Sequence, residues 1–343
     1  MRQSIRMRPS RWLILLAVAS LLVLLVTPFV GMQTITPRAL WSAEPSSMEV
    51  KIFWSLRVPR TVMAFLVGAA LSLSGLTFQA MFCNALATPF TLGIAGGAAL
   101  GAALYIRMGL AFALLGISGQ TLSAFAGAVL TVGLVYGLAR SRRDFSMGAI
   151  LLAGVAVSFF CSSLILFIQY LSGFSHLFQI TRWLMGELAV TGFGAVRELG
   201  PLVLCGSVVV LGMGKELNLL TTGHELAVSR GLNLPVVKNV LFFAISLMVG
   251  GVVARCGPIG FVGMMAPHIC RLLVGADHRV LIPAAFLFGG CFLTLCDTLA
   301  RVLIAPAEMP VGVITALLGG PFFVWLLVSD GLGRSGFYRS NGT

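Results

Sequence analysis

Residues 255–279 read RCGPIGFVGMMAPHICRLLVGADHR. This apolar stretch carries Gly257, Pro258, Gly260, Gly263 and Pro267, then closes on Asp277, His278 and Arg279. Glycine and proline at that density break a helix. Broken backbone at membrane depth needs protein or a water-filled cavity around its polar groups. The stretch therefore predicts an all-α membrane protein with an irregularity built in, at a place where something passes or moves.

The surrounding chain agrees. Of 343 residues, 58% are hydrophobic and 10% charged, against about 25% charged in an ordinary soluble domain. From Arg60 to Arg107 no acidic or basic residue intervenes, and roughly 20 apolar residues suffice for a span. Short alternating segments of the β-barrel kind are missing. The net charge of +12 falls mostly between apolar runs, where the positive-inside rule accounts for it without nucleic acid. The seven cysteines form no C-x-x-C pair and read as small buried hydrophobes. The first apolar run, Trp12–Val30, is longer than the roughly 7–15 residues of a signal-peptide core, so it reads as a retained span.

About ten spans are expected in a single transmembrane domain over residues 1–343: Trp12–Val30, Arg60–Met81, Thr91–Ile106, Leu122–Leu138, Ala149–Leu171, Leu199–Met213, Val240–Ala254, Met265–Leu273, Val280–Leu303 and Val311–Val328. The eighth is too short to cross alone, so Gly257–Gly263 is expected to supply the remaining depth as enclosed, non-helical backbone. Gly260 and Gly263 are then expected to tolerate a side chain less well than Gly289. Most Lys and Arg fall inside when both termini are cytoplasmic. Residues 215–236 are too polar for a span, and their pattern predicts two short helices meeting at Gly223, with Gly231 closing the second.

Several chemistries are absent. No G-x-x-x-x-G-K-[ST] motif occurs, so nucleotide is not expected on this chain. His224-Glu225 does not extend to H-E-x-x-H, and the four histidines lack ligand spacing. Asp297 and Arg301 stand four apart, as an ion pair within one helix would. No acidic relay runs through the spans, which argues against a secondary transporter of a small solute, the alternative reading. Gly97 and Gly101 form a G-x-x-x-G that reads as close helix packing first and dimer contact second.

Seven segments together resemble the permeases of type II ABC importers, the FecCD-type iron-chelate, cobalamin and haem family. They are RVPR at 57–60, QAMFCNALATPFTLGIAGGAALGA at 79–102, ILLAGVAVS at 150–158, RWLMGEL at 182–188, LNLLTTGHELAVSRGLNL at 217–234, GPIGFVGMMAPHICRLLVGADHR at 257–279 and PVGVITALLGGPFFVWLL at 310–327. The resemblance implies a ten-span homodimer in the bacterial inner membrane. Two ATPase subunits would carry ATP and Mg, and an extracytoplasmic binding protein would deliver a metal chelate, with a ferric siderophore the commonest class.

It further implies that Arg57, Arg60 and Arg301 pair with carboxylates of the binding protein, anchoring of a span end being the other reading for the first two. Gly223, His224, Glu225, Leu226, Ala227 and Gly231 would couple to the ATPase, with His278 and Arg279 adding contacts. Ser158, Ser162 and Ser163 face the path or pack helices. Two departures stand out: Asn84-Ala85-Leu86-Ala87 replaces the family's Asn-Pro-Leu-Ala, and His224 separates Gly223 from Glu225.

Overall fold

Long apolar runs in a chain this poor in charge satisfy their backbone polar groups internally as helices. The computed structural model describes residues 9–31, 35, 48–114, 116–141 and 147–332. The helices in chain order are α1 (Pro9–Val26), α2 (Met48–Ile52), α3 (Val58–Phe82), α4 (Ile94–Arg107), α5 (Gly119–Arg140), α6 (Met147–Tyr170), α7 (Phe174–Leu184), α8 (Gly194–Gly212), α9 (Gly214–Leu220), α10 (His224–Ser229), α11 (Leu234–Cys256), α12 (Val262–Val274), α13 (His278–Val302) and α14 (Val311–Leu332). A two-residue antiparallel pair, Ala113–Leu114 with Ile117–Ser118, turns the chain into α5.

Each expected span is a helix. Among the described residues seven helices are long and apolar enough to cross a membrane, and α4, α12 and the apolar part of α14 are shorter. The termini, and with them Arg2, Arg6, Arg8, Arg334 and Arg339, lie outside the described residues, as do Arg142 and Arg143.

Helix α3 is the core, packed on α13, α12, α11 and α8. Its serines and threonines are buried without breaking it. Ser74 and Thr77 donate to the carbonyls of Ala70 and Leu73, one turn back. Close approach comes from small residues. A Cβ on Gly68 would strike the carbonyl of Gly289, and one on Gly75 that of Gly263. Gly97 and Gly101 press α4 onto Gly127, Thr131 and Ser123 of α5, so this G-x-x-x-G serves packing within the chain. None of the seven cysteines is in a disulfide, and five are buried.

The break is shorter than expected. The helix resumes at Val262, so α12 has 13 residues, roughly 20 Å at 1.5 Å per residue. Only Gly257, Pro258 and Gly260 of the predicted break lie in non-helical backbone; Gly263 and Pro267 belong to α12. Pro267 breaks nothing there. It has no N–H to give the Gly263 carbonyl one turn back, and that freed carbonyl is the one against which Gly75 packs. The expected ranking of glycines reverses for Gly260 but not for Gly263, where a Cβ would come 2.8 Å from the carbonyl of Leu71. A Cβ on Gly260 meets nothing within 4 Å, whereas one on Gly289 would strike Ser72 and come 2.7 Å from the carbonyl of Gly68. Gly289→Val should therefore cost about 1–3 kcal/mol by overpacking, with Gly260→Val near neutral. Equal thermal midpoints for the two variants in detergent would refute this packing.

After α3 the departure at Ala85 leaves the turn intact. Cys83 takes a left-handed conformation (φ 47°), and Asn84 closes back on the Gln79 carbonyl at 3.1 Å. The Asn84 side chain then accepts from the N–H of Leu86 at 2.9 Å, so the Asn supplies the turn without proline.

Candidate functional site

Helices α3 and α13 run antiparallel. Arg57, Arg60 and Arg301 therefore share one end of the bundle, while Gln79 and His278 share the other.

At the first end, α2 runs into α3 through a π turn, Phe53–Arg57, which turns Arg57 inward. Its Nη1 donates to the carbonyls of Pro28 and Phe29, each at 3.2 Å. These carbonyls end the first span and have no helical donor among the described residues. Arg60 grips Asp297 with Nε at 3.0 and 3.1 Å and Nη2 at 3.0 Å. Its Nη1 reaches Glu308 at 2.7 Å. Arg301 Nε lies 3.2 Å from Asp297, the expected i,i+4 pair, and its Nη2 donates to Thr298 at 3.1 Å.

Asp297 is fully buried between two guanidiniums. Such a carboxylate is sustained only by opposite charges and hydrogen bonds. The three arginines are accordingly no loose rim charges, since each is tied into the chain. They still line one crevice of about 450 Å³, together with Glu308, Gly31 and Thr191. Among the described residues three positive charges stand against two negative, which leaves it cationic.

Midway, the break is enclosed as membrane depth requires. Gly257 (φ 69°, ψ −179°) holds a conformation that only glycine adopts readily. A Cβ there would strike the carbonyl of Trp183. The Cys256 carbonyl accepts from the N–H of Glu187 at 2.8 Å. Gly186 packs on the Pro258 carbonyl, and Gly312 at the start of α14 on that of Met185. Three irregular segments, after α7, after α11 and before α14, thus meet at one place.

At the opposite end, α9 and α10 meet at Gly223 (φ 101°, ψ 162°), and Gly231 (φ 81°) ends α10. Ala227 is buried, while Glu225, Leu226, Val228 and Arg230 are exposed; the side chain of His224 lies outside the described residues. The segment is anchored by a residue the sequence reading missed. Asn218 of α9 donates to the Asp277 carboxylate at 2.7 Å and accepts from the backbone N–H of His278 at 2.8 Å. That donated bond, then one from the Arg279 N–H, holds the Asp277 carboxyl below the usual range. His278 is buried, not a free loop contact. Asp277 caps α13, its carboxylate accepting from the Arg279 N–H at 3.0 Å.

On α6, Ser158 is half-buried and donates to the Gly154 carbonyl at 2.8 Å; Ser163 donates to that of Phe159 at 2.9 Å. Ser162 and Ser163 are exposed beside Phe159, Phe160, Leu166 and Phe167. Asp297 as the partner of Arg60, and Gln79 as that of Arg271 at 3.0 Å, had no signal in the sequence.

A bundle of this shape with two polar ends has known counterparts. The FecCD transport family matches residues 15–329. The chain belongs to that family. It is 36% identical over 332 residues to the hemin transport system permease HmuU of Yersinia pestis, covering 96% of this chain and 99% of that protein. It is 40% identical over 331 residues to the vitamin B12 import permease BtuC of Escherichia coli O17:K52:H18, covering 94% and 96%. A metal-chelate type ABC transporter solved in an inward-facing conformation superposes with a TM-score of 0.84 at 30% identity, covering 93% of this chain and 99% of that one. PsaBC of Streptococcus pneumoniae, at TM-score 0.54 and 18% identity, shares the fold. This member of the FecCD family is a multi-pass importer permease of the ABC type, a transport subunit with a type II fold.

Proposed function

We propose that the chain pairs with a second copy to import a bulky metal chelate, driven by two ATPase subunits that hold ATP and Mg and fed by an extracytoplasmic binding protein. The near-complete superposition on a metal-chelate type ABC transporter carries this reading. The relatives named for hemin and vitamin B12 favour a macrocyclic chelate over the ferric siderophore favoured above. Among the described residues Asp297 is the one buried carboxylate, and it lies at an end of α13. A proton- or sodium-coupled secondary transporter would need such groups near mid-membrane.

The crevice of Arg57, Arg60 and Arg301 would face outward and take a carboxylate of the binding protein. The α9–α10 segment would meet the ATPase in the cytoplasm, where both termini and the surrounding inner-membrane leaflet would also lie. The exposed aromatic face of α6, with Leu317, Leu318, Val324 and Trp325 of α14, would supply the dimer contact and the path; Ser162 and Ser163 belong to that face, and Ser158 packs on the start of α4 at Gly93 and Gly96. The direct test is ATP-driven uptake of hemin or cobalamin into proteoliposomes holding permease, ATPase and binding protein; uptake driven by an ion gradient without ATPase would defeat it.

The docking role has its own test. Arg57→Gln keeps a donor for the Pro28 and Phe29 carbonyls and removes the charge. Affinity for the binding protein should fall about tenfold at low ionic strength and lose much of its salt dependence. Unchanged affinity at low salt would leave Arg57 as an anchor of the span end alone.

A further inference from the structure

Helix α10 packs on α9, and α9 packs on α3, α8 and α13. A force applied to α10 therefore enters the bundle through α9. The covalent ties of this pair are loose. Met213 lies outside both α8 and α9, between Gly212 and Gly214, and Gly231 (φ 81°) ends α10 before α11 begins. The buried Leu217 and Leu220 hold α9 down, but apolar contact has no preferred direction and lets a short helix turn or slide.

Asn218 supplies the direction. Its amide nitrogen donates to the Asp277 carboxylate at 2.7 Å, and its oxygen accepts from the backbone N–H of His278 at 2.8 Å. With the amide so oriented, the same oxygen lies 2.8 Å from Nδ1 of the buried His278 ring. It can only accept, so Nδ1 carries the proton. One side chain thus makes three bonds, one of them to a charged group, and all three end on the N-cap and first residue of α13. Gly214 packs beside Arg279 and Ile282 of the same helix.

From there α13 continues to Val302, about 37 Å at 1.5 Å per residue. Pro283 removes one bond from its second turn. Near its middle, Gly289 meets Gly68 of α3 backbone against backbone, a contact with no long side chain to yield. At the far end Asp297 ties the two helices together through Arg60. The pair is built to move as one body, with Asn218 at one end and the arginine crevice at the other.

We infer that Asn218 is a positioning residue for transport, which passes movement of α9–α10 to α13 and through α13 to the crevice of Arg57, Arg60 and Arg301. It acts through Asp277 and His278. The inference rests on the proposal that α9–α10 meets the ATPase.

The test uses the complex of two permeases and two ATPase subunits in nanodiscs, with trifluoromethylphenylalanine in place of Leu303, exposed just beyond α13, as a fluorine NMR probe. In the otherwise unaltered complex, ATP with vanadate should shift the fluorine resonance. Asn218→Asp sets two carboxylates against each other and should abolish that shift while the ATPase still co-purifies. Adding Asp277→Asn restores one amide and one carboxylate, now exchanged, and should recover the shift. Asn218→Ala, which removes the three bonds without adding charge, should also lose the shift, and it decides the matter if Asn218→Asp does not fold. A purely structural Asn218 would lower the thermal midpoint yet leave the folded protein responsive, and that result overturns the inference. So does an unresponsive unaltered complex, or an exchanged pair that fails to recover the shift. Loss of ATPase co-purification in the Asn218 variants would place this residue in the docking surface and overturns it too. Glu225→Arg, read by co-purification alone, tests the underlying proposal, so the two failures are distinguishable.

Discussion

Replacing Asp297 with leucine is expected to destabilise the protein by about 3–5 kcal/mol, because it leaves two buried guanidiniums facing each other without their shared anion. Arg60 and Arg301 both lie within 3.2 Å of that carboxylate, with side chains 13% and 6% exposed. The built-in comparison is Glu308→Gln. Glu308 contacts the same Arg60 but is 38% exposed, and an exposed pair is worth about 0–1 kcal/mol. Thermal unfolding of the two variants in one detergent checks the contrast. Similar midpoints would mean that Asp297 does not organise this end of the bundle. Asp297→Leu and Arg57→Gln together separate stability from docking. Asp297→Leu should lose folded protein, whereas Arg57→Gln should fold normally and lose binding-protein affinity.

Substituting Gly223 with valine is expected to bring ATP-driven uptake to background while the permease still inserts and purifies. Gly223 sits at φ 101° and ψ 162°, a region essentially reserved for glycine, where another residue costs about 1–3 kcal/mol of local strain. A Cβ there would meet nothing within 4 Å, so the effect is conformational, not steric. It falls on the angle between α9 and α10, leaving the buried Leu217 and Leu220 of α9 in place. Glu225→Arg tests the same segment from its exposed face, where charge reversal should weaken ATPase association without touching the fold. Retained uptake in the valine variant, or ATPase co-purification unchanged in Glu225→Arg, would detach this segment from energy coupling.

Composition and local chemistry were enough to read the membrane location, the ten helices with ends displaced by up to six residues, the break at Gly257-Pro258 and the paired short helices at Gly223. Each of these depends on the length of an apolar run or on what glycine and proline allow at one position, and both are visible in the residues themselves. Pro267 marks the limit of that reading: beside Gly263 it looked like part of the break, yet it sits inside α12.

Partner choice was decided only by the tertiary structure. Arg60 meets Asp297 across 237 positions, and Arg271 meets Gln79 across 192. Gly75 and Gly263 became neighbours because α3 threads the centre of the bundle. Helices destined for lipid are apolar on every side, so no periodicity marks which face turns inward. The pairing of small and polar residues across helices then follows from packing, where close backbone approach and the cost of an unpaired buried charge select one arrangement.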